Sequence, residues 1–175
     1  MALIVEDGTG LADAESYISV LDCDALLISW GRSTAAWVAL DDADKEGLLR
    51  NSTMFIDSDY SSKFSGEVLN DTQALSWPRQ NAYKRNGQFI PSDSVPAEVL
   101  RACSFIAVET ITSGVYADED NGARISSESV GLGSGALSEA KTYVGGKETS
   151  YNSKSADLVL KPVLSGSKGI TVFRA

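Results

Sequence analysis

The segment Pro96-Ala-Glu-Val-Leu-Arg-Ala-Cys-Ser-Phe-Ile-Ala-Val-Glu-Thr-Ile-Thr-Ser113 decides the fold prediction. Pro96 suits the first helical position, Glu98 lies in the positive first turn, and Ser113-Gly114 ends the pattern. Small and apolar residues recur every three or four positions and make one continuous face, namely Val99, Ala102, Cys103, Ile106, Thr110 and Ile111. The segment therefore predicts an amphipathic helix over 96–113.

Two more helices are predicted upstream of this segment. The first covers 20–30, with Ser19 as its N-cap and Gly31 as its C-cap. The second covers 41–59, begins with capping aspartates, and repeats apolar residues at helical spacing. Three helices with apolar faces indicate a small helical bundle.

A long connection, 69–95, separates the second of these helices from 96–113. It carries turn and breaker signals at Trp77-Pro78-Arg79, Asn86-Gly87 and Pro91. Loops longer than about 12–15 residues in compact domains are usually functional or disordered. This loop contains enough large apolar side chains to pack against the helices, so we predict that it is ordered.

The last third of the chain changes character. Residues 123–155 are rich in Ser and Gly, with short alternating pieces that could pair as strands, and Gly131–Gly135 is predicted to be a flexible loop. Residues 156–164 predict a short helix capped by Ser155. The β-prone segment 169–175 is typical of a strand that pairs with a neighbouring chain. Its candidate inter-subunit residues are Ile170, Val172, Phe173 and Arg174.

These patterns predict the fold class and the domain organisation. The fold is mainly α: a small helical bundle with long ordered loops and a Ser/Gly-rich, partly β C-terminal extension. The bundle is assigned to 1–115 and the extension, with short strands and a tail, to 116–175.

Composition restricts the function classes. The chain has 15 Lys+Arg against 24 Asp+Glu, a net charge of −9, and it contains no His. Without His, triads of the Ser-His-Asp type and imidazole metal ligands are excluded. The two cysteines, Cys23 and Cys103, are predicted to be buried thiols in a reducing compartment. No catalytic constellation is present, so we expect neither enzyme activity nor a cofactor or metal.

One cluster combines aromatic and basic residues within the long loop. Aromatic faces beside cations are what single-stranded nucleic acid requires of a protein. The competing interpretation is that the aromatic residues anchor the loop while the cations remain solvated or contact an acidic neighbour. The acidic net charge favours the second interpretation. The candidate contact residues for a partner or nucleic acid are Trp77, Arg79, Tyr83, Lys84, Arg85 and Phe89.

Four segments carry a resemblance to a known family: residues 1–20, 55–60, 72–79 and 90–99. The most specific are Trp77-Pro78-Arg79 within the third and the Ile-Pro-x-Asp-x-Val-Pro pattern within the fourth. The chain resembles a tailed-bacteriophage family that is labelled both DnaT-like single-stranded DNA-binding protein and head–tail connector, or neck adaptor.

The connector label implies a virion structural protein, assembled in the host cytoplasm and placed in the neck between capsid and tail. Its subunits would form a twelve-fold homo-oligomeric ring that docks on the portal protein and meets a neck or tail-terminator protein on the tail side. An acidic channel wall would let duplex DNA slide through during genome ejection. We expect this role, without membrane contact, and hold a DnaT-like single-stranded DNA-binding role in replication as the alternative.

Overall fold

The computed structural model describes residues 2–113, 125–133, 136–143 and 153–165. Within these ranges the protein is mainly α-helical, which confirms the predicted class. The helices are α1 (Val20–Ser29), α2 (Ala35–Val38), α3 (Asp42–Tyr60), α4 (Ala97–Ser113) and α5 (Lys154–Leu160). The strands are β1 (Glu67–Val68), β2 (Arg79–Gln80), β3 (Ile125–Gly133) and β4 (Ala136–Tyr143), and a 3₁₀ turn at Ser61–Lys63 follows α3.

The first two predicted helices begin at the capping residues that the sequence indicates. The Ser19 hydroxyl accepts the backbone N–H of Asp22 at 3.1 Å at the start of α1. The Asp41 carboxylate accepts the N–H of Asp44 at 2.8 Å at the start of α3. Each contact satisfies one of the N–H groups that a helix start leaves without an intrahelical partner. The short helix α2 was not predicted, because four residues are too few for a periodic pattern.

The core lies where α3 and α4 pack together, with α1 and α5 also against α4. Full burial of a Leu, Ile or Phe side chain contributes about 1.5–3 kcal/mol, so these contacts dominate the stability of the bundle. The buried side chains include Leu27 of α1, Leu49, Phe55 and Ile56 of α3, Ala102, Cys103 and Ile106 of α4, and Leu160 of α5.

The long loop is attached to the bundle at several points. The Asp57 carboxylate of α3 accepts hydrogen bonds from the hydroxyl of Tyr17 and, at 3.1 Å, from the N–H of Ser76. Trp77 of the loop packs edge-on against Phe64, which precedes the loop, with 5.4 Å between the ring centroids. Within the predicted loop, β2 pairs antiparallel with β1, which lies just before the loop.

Two compact units are present, one formed by Met1–Val115 with Asn152–Ala175 and the other by Tyr116–Tyr151. The division drawn from sequence, at 115, placed α5 in the extension. In the structure Ala156, Leu160 and Val163 are fully buried because α5 packs on α4. The α5 helix also begins earlier than predicted.

The N-cap of α5 is Ser153 rather than Ser155. Its hydroxyl accepts the N–H of Ala156 at 3.1 Å and donates to Glu109 of α4 at 2.8 Å. The helix therefore starts where a tertiary partner on α4 fixes the capping side chain.

In the second unit, β3 and β4 pair as an antiparallel hairpin from Ile125↔Tyr143 to Gly133↔Ala136. The stretch Gly131–Gly135 was predicted to be a flexible loop, and this is wrong for 131–133, which complete β3. Backbone ladder bonds do not need side chains, so a glycine-rich stretch can still pair. The predicted inter-subunit residues 170–174 lie outside the described residues.

Candidate nucleic-acid interface

The structure separates the predicted cluster into buried and exposed members. Trp77 is 0% exposed and Arg79 is 8% exposed, so both lie in the interior. The Arg79 guanidinium donates to three backbone carbonyls, those of Ser65 at 2.9 Å, Gly66 at 2.7 Å and Ser76 at 3.2 Å. Burial lowers the pKa of this guanidinium, while the charge of nearby Asp57 opposes the shift. Neither residue is placed to contact a surface ligand; both hold the loop together.

The exposed members lie on a tight hairpin formed by residues 83–89. Tyr83 and Phe89 form its antiparallel bridge, and the N–H of Lys84 donates to the carbonyl of Gln88 at 2.8 Å. At the tip, Gly87 has a φ of 85°, a left-handed conformation that favours glycine. The hairpin therefore presents its side chains from a backbone of defined geometry.

Ser65 fixes this hairpin to the bundle. Its hydroxyl donates to the carbonyl of Tyr83 at 2.7 Å, and the N–H of Tyr83 contacts the same hydroxyl at 2.9 Å. Both backbone groups of Tyr83 are thereby used, which leaves its ring as the part available to a ligand.

Tyr83 and Phe89 form an exposed aromatic pair. Their ring centroids lie 5.5 Å apart at an interplanar angle of 65°, and the side chains are 50% and 51% exposed. In an edge-to-face pair, the edge of one ring covers a face of the other, and further ring surface stays open to solvent. Stacking of a nucleobase on an aromatic ring contributes about 1–3 kcal/mol.

Of the two cations predicted on the hairpin, Lys84 is engaged within the protein. Its ammonium donates to Glu98 of α4 at 2.6 Å. Burial raises the pKa of Glu98, but the hydrogen bond from Lys84 and the charges of Lys84 and Arg101 outweigh it and lower the pKa overall. Arg85 is exposed. Arg85 is thus the better placed of the two to meet a phosphate.

Two further lysines, which the sequence did not indicate, lie in segments next to the hairpin. The N–H of Arg85 donates to the carbonyl of Pro162 at 2.7 Å, which brings the exposed Lys161 to this surface. Lys63, also exposed, is two residues before Ser65, and its carbonyl accepts the N–H of Ser165 at 2.7 Å. We call Tyr83, Phe89, Arg85, Lys63 and Lys161 the hairpin platform.

A cavity of about 450 Å³ elsewhere in the helical unit has the opposite charge. Its lining includes the carboxylates of Glu6, Asp7, Asp22 and Asp93. Negative side chains repel phosphate, so this cavity does not fit a nucleic acid. The hairpin platform is the better candidate.

The described residues offer neither a metal centre nor a membrane-spanning helix. No three Cys, Asp or Glu side chains of the described ranges are grouped as metal ligands would be. Nor does any helix within those ranges combine the length and apolar character required to cross a bilayer.

The described part of the chain is thus a small, mainly α-helical protein that presents exposed aromatic rings beside exposed cations. Over residues 1–175 the chain matches the model of a family described as "Putative DnaT-like ssDNA binding protein". The chain therefore belongs to this DnaT-like family. Searches with the chain find no matching curated protein and no matching solved structure. The DnaT-like half of the resemblance is confirmed, whereas the connector half receives no support from these comparisons.

Proposed function

We propose that this protein binds single-stranded DNA through the hairpin platform. The observation that carries the proposal is the exposed edge-to-face pair of Tyr83 and Phe89. The exposed Arg85 lies on the same hairpin, and the exposed Lys63 and Lys161 lie in segments that contact it, with the Lys63 ammonium 4.6 Å from the centroid of the Tyr60 ring. The description of the family, which names single-stranded DNA, supports the same ligand.

The chemistry of the platform suits a single strand better than a duplex. Bases of a single strand expose their faces, which can stack on Tyr83 and Phe89, while the faces of duplex bases are covered by their neighbours. Arg85, Lys63 and Lys161 supply positive charge for the phosphates that flank the stacked bases. Every base has a face, so we expect little sequence preference.

The net charge of −9 sets a limit on the affinity. Long-range repulsion slows the approach of DNA, and only the local cations oppose it. We therefore expect binding that is measurable at low salt and weakens steeply as salt rises, with few phosphates neutralised.

Fluorescence anisotropy of a labelled oligo-dT of about 16 nucleotides tests the proposal directly. The double change Tyr83→Ala with Phe89→Ala should weaken binding at least about tenfold, and Arg85→Gln should lower both the affinity and its dependence on salt. Met54→Ala is the matched control for loss of an exposed apolar side chain, since Met54 of α3 is 50% exposed. Wild-type affinity in the folded double variant, or no binding by the wild type at low salt, would overturn the proposal.

A second candidate function is the connector role, as a ring subunit in a phage neck that docks on a portal and passes duplex DNA. The observation that favours it is the exposure of apolar side chains on α1 and α2, since Leu21, Ile28 and Val38 are 78%, 69% and 66% exposed. Leu21 and Ile28 lie seven positions apart and so share one face of α1. A ring would bury such side chains against a neighbouring copy. Exposed apolar clusters of this kind are typical of protein–protein contacts.

Native mass spectrometry separates the two candidates. A connector should form a ring-sized species, alone or with its portal protein, and the double change Leu21→Ser with Ile28→Ser should return it to a monomer. A monomer that ignores portal would rule the connector role out. Because Leu21 and Ile28 are not part of the hairpin platform, the same variant should keep wild-type affinity for a short oligo-dT of about 6 nucleotides.

A further inference from the structure

A second group of stacked aromatic and basic side chains lies where α1 meets α4. The Arg101 guanidinium carbon lies 4.2 Å from the centroid of the Trp30 ring. Trp30 meets Phe105 edge-on, with 6.1 Å between centroids, and the guanidinium carbon of Arg32 lies 4.4 Å from the centroid of Phe105. Phe105 is buried, so Trp30 and the two guanidinium groups form the outer part of this cluster. We call Trp30, Arg32 and Arg101 the tryptophan platform.

The end of α1 holds two of these residues in place. The N–H of Gly31 donates to the carbonyl of Ile28 at 3.1 Å, and the N–H of Arg32 donates to that of Leu27 at 2.8 Å. These two bonds, with Gly31 at a φ of 63°, form a Schellman motif, which ends a helix in a fixed geometry. Trp30 and Arg32 therefore leave α1 in defined directions.

The exposure of Trp30 is unusual for this chain. The chain has three tryptophans, and Trp37 and Trp77 are 1% and 0% exposed, whereas Trp30 is 53% exposed. A large apolar ring at the surface beside two guanidinium groups is not needed for the core. It has the composition of a stacking platform for a base.

The charges of the two arginines are only partly balanced within the protein. Arg32 meets Glu109 at 3.6 Å and donates to Ser155 at 3.3 Å, while 45% of its side chain stays exposed. The Nε of Arg101 is buried and has no hydrogen-bond partner among the described residues, so this nitrogen is not open to a phosphate. Arg32 is therefore the guanidinium of this group that can still bind phosphate.

Both the hairpin and Trp30 contact α4. Glu98, which binds Lys84 of the hairpin, and Arg101, which stacks on Trp30, lie three positions apart and so share one helix face. Three residues of helix correspond to about 4.5 Å of rise. The two anchor points on α4 are therefore close, and a strand of about 16 nucleotides is long enough to extend from the hairpin to Trp30.

We infer that the tryptophan platform is a second subsite for the same single strand, where a base stacks on Trp30 and Arg32 binds a neighbouring phosphate. This inference rests on the proposed function. The ligand is thus a strand long enough to cover both platforms, and a shorter oligonucleotide uses the hairpin platform alone.

The test compares oligo-dT of about 16 and about 6 nucleotides by anisotropy. Two variants test the subsite: Trp30→Leu, which keeps an apolar contact for Phe105, and Arg32→Gln. Each should lower the affinity for the long strand about tenfold and leave the affinity for the short strand nearly unchanged. The matched control is Arg50→Gln, which removes the same charge from the pair with Glu15 and Glu46 on α3. Circular dichroism and thermal melting identify variants that fold.

Intrinsic fluorescence gives an independent readout because Trp30 is the most exposed of the three tryptophans. Binding of the long strand should reduce the quenching of wild-type tryptophan fluorescence by acrylamide. This reduction should be absent in Trp30→Leu.

The outcomes separate the inference from the proposal on which it rests. If folded Trp30→Leu and Arg32→Gln both bind the long strand with wild-type affinity, the second subsite is overturned. The hairpin proposal would still stand in that case, provided that Tyr83→Ala with Phe89→Ala weakens binding. A wild type that binds neither strand would overturn both.

Discussion

The hydroxyl of Tyr60 at the end of α3 donates a 2.6 Å hydrogen bond to Asp157 of α5, 97 residues further along the chain. Burial, followed by the hydrogen bond to Asp157 and its charge, raises the pKa of Tyr60 well above the ordinary value. The contact orients α5, and with it the carbonyl of Pro162 that accepts the N–H of Arg85. One side-chain pair thus joins α3 to α5, and the segment that follows α5 contacts the hairpin platform.

Tyr60→Phe should therefore lower the free energy of unfolding by about 1–2 kcal/mol, because Asp157 loses its donor while the ring stays in place. Urea denaturation followed by circular dichroism measures this. Tyr83→Phe is the control, since the Tyr83 ring is half exposed, and it should change stability by less than about 0.5 kcal/mol. Equal effects in the two variants would contradict the assignment.

Arg79→Lys should destabilise the protein by about 2–3 kcal/mol although it keeps the charge. A lysine ammonium cannot reproduce the planar set of donors that meets the carbonyls of Ser65, Gly66 and Ser76. Arg85→Lys, at an exposed position, is the matched control and should leave the urea midpoint unchanged. A tolerated Arg79→Lys would show that the three contacts contribute little.

Gly66→Ala should cost more stability than Gly31→Ala. Both glycines have positive φ, 72° and 63°, so both substitutions carry the same backbone strain of about 1 kcal/mol. A Cβ at Gly66 would lie 2.3 Å from the carbonyl oxygen of Gln80, whereas a Cβ at Gly31 meets nothing within 4 Å. Thermal melting should rank the two variants in this order, and the reverse order would contradict it.

The Lys84–Glu98 pair predicts a specific dependence of stability on pH. Because the pKa of Glu98 is lower in the folded protein, its contribution is present above the unfolded value of about 4.3 and is lost as pH falls through the folded value. Glu98→Gln should cost about 1 kcal/mol near neutral pH. Its difference from wild type should shrink as pH falls below the unfolded pKa of Glu98 and disappear once pH lies below the folded pKa.

Urea midpoints measured from neutral to acidic pH test this dependence. Glu67→Gln, at an exposed position of β1, is the matched control and should follow the wild type at each pH. A Glu98→Gln deficit that persists unchanged in acid would mean that lost packing, rather than charge, is responsible.

Both thiols should be unreactive in the folded protein. Cys23 and Cys103 are each 0% exposed, and burial raises the pKa of Cys23 to about 11 and that of Cys103 to about 12. Since the thiolate is the reactive form, Ellman's reagent at mildly alkaline pH should label neither cysteine natively and both in urea. Rapid labelling of the native protein would show that α1 or α4 opens readily.

The helices were predictable because their signals are local. Capping by Ser19 and by Asp41 depends on residues within one turn, and the apolar periodicity of α4 is visible in the sequence alone. The burial of Arg79 was not predictable, because its three carbonyl partners depend on the path of the loop. An arginine beside aromatic residues looks the same in sequence whether it binds a ligand or the backbone.

The candidate site was predictable only in part for the same reason. Tyr83, Arg85 and Phe89 are close in sequence, so the sequence alone groups them as candidate contact residues. Lys161 reaches them only because α5 docks on α4, and the pairing of Trp30 with Arg101 requires the packing of α1 on α4. Contacts between distant segments leave no mark in a single sequence.

The hydrogen bond between Ser153 and Glu109 has a consequence for how this chain can vary. It holds the start of α5 near the end of α4, so the chain leaves the bundle and rejoins it at neighbouring points. Chain ends that meet at a surface tolerate exchange of whatever joins them. The 116–151 unit therefore occupies a natural insertion point, at which a short linker, a fluorescent tag or an unrelated small domain can be grafted while the helical scaffold keeps its fold.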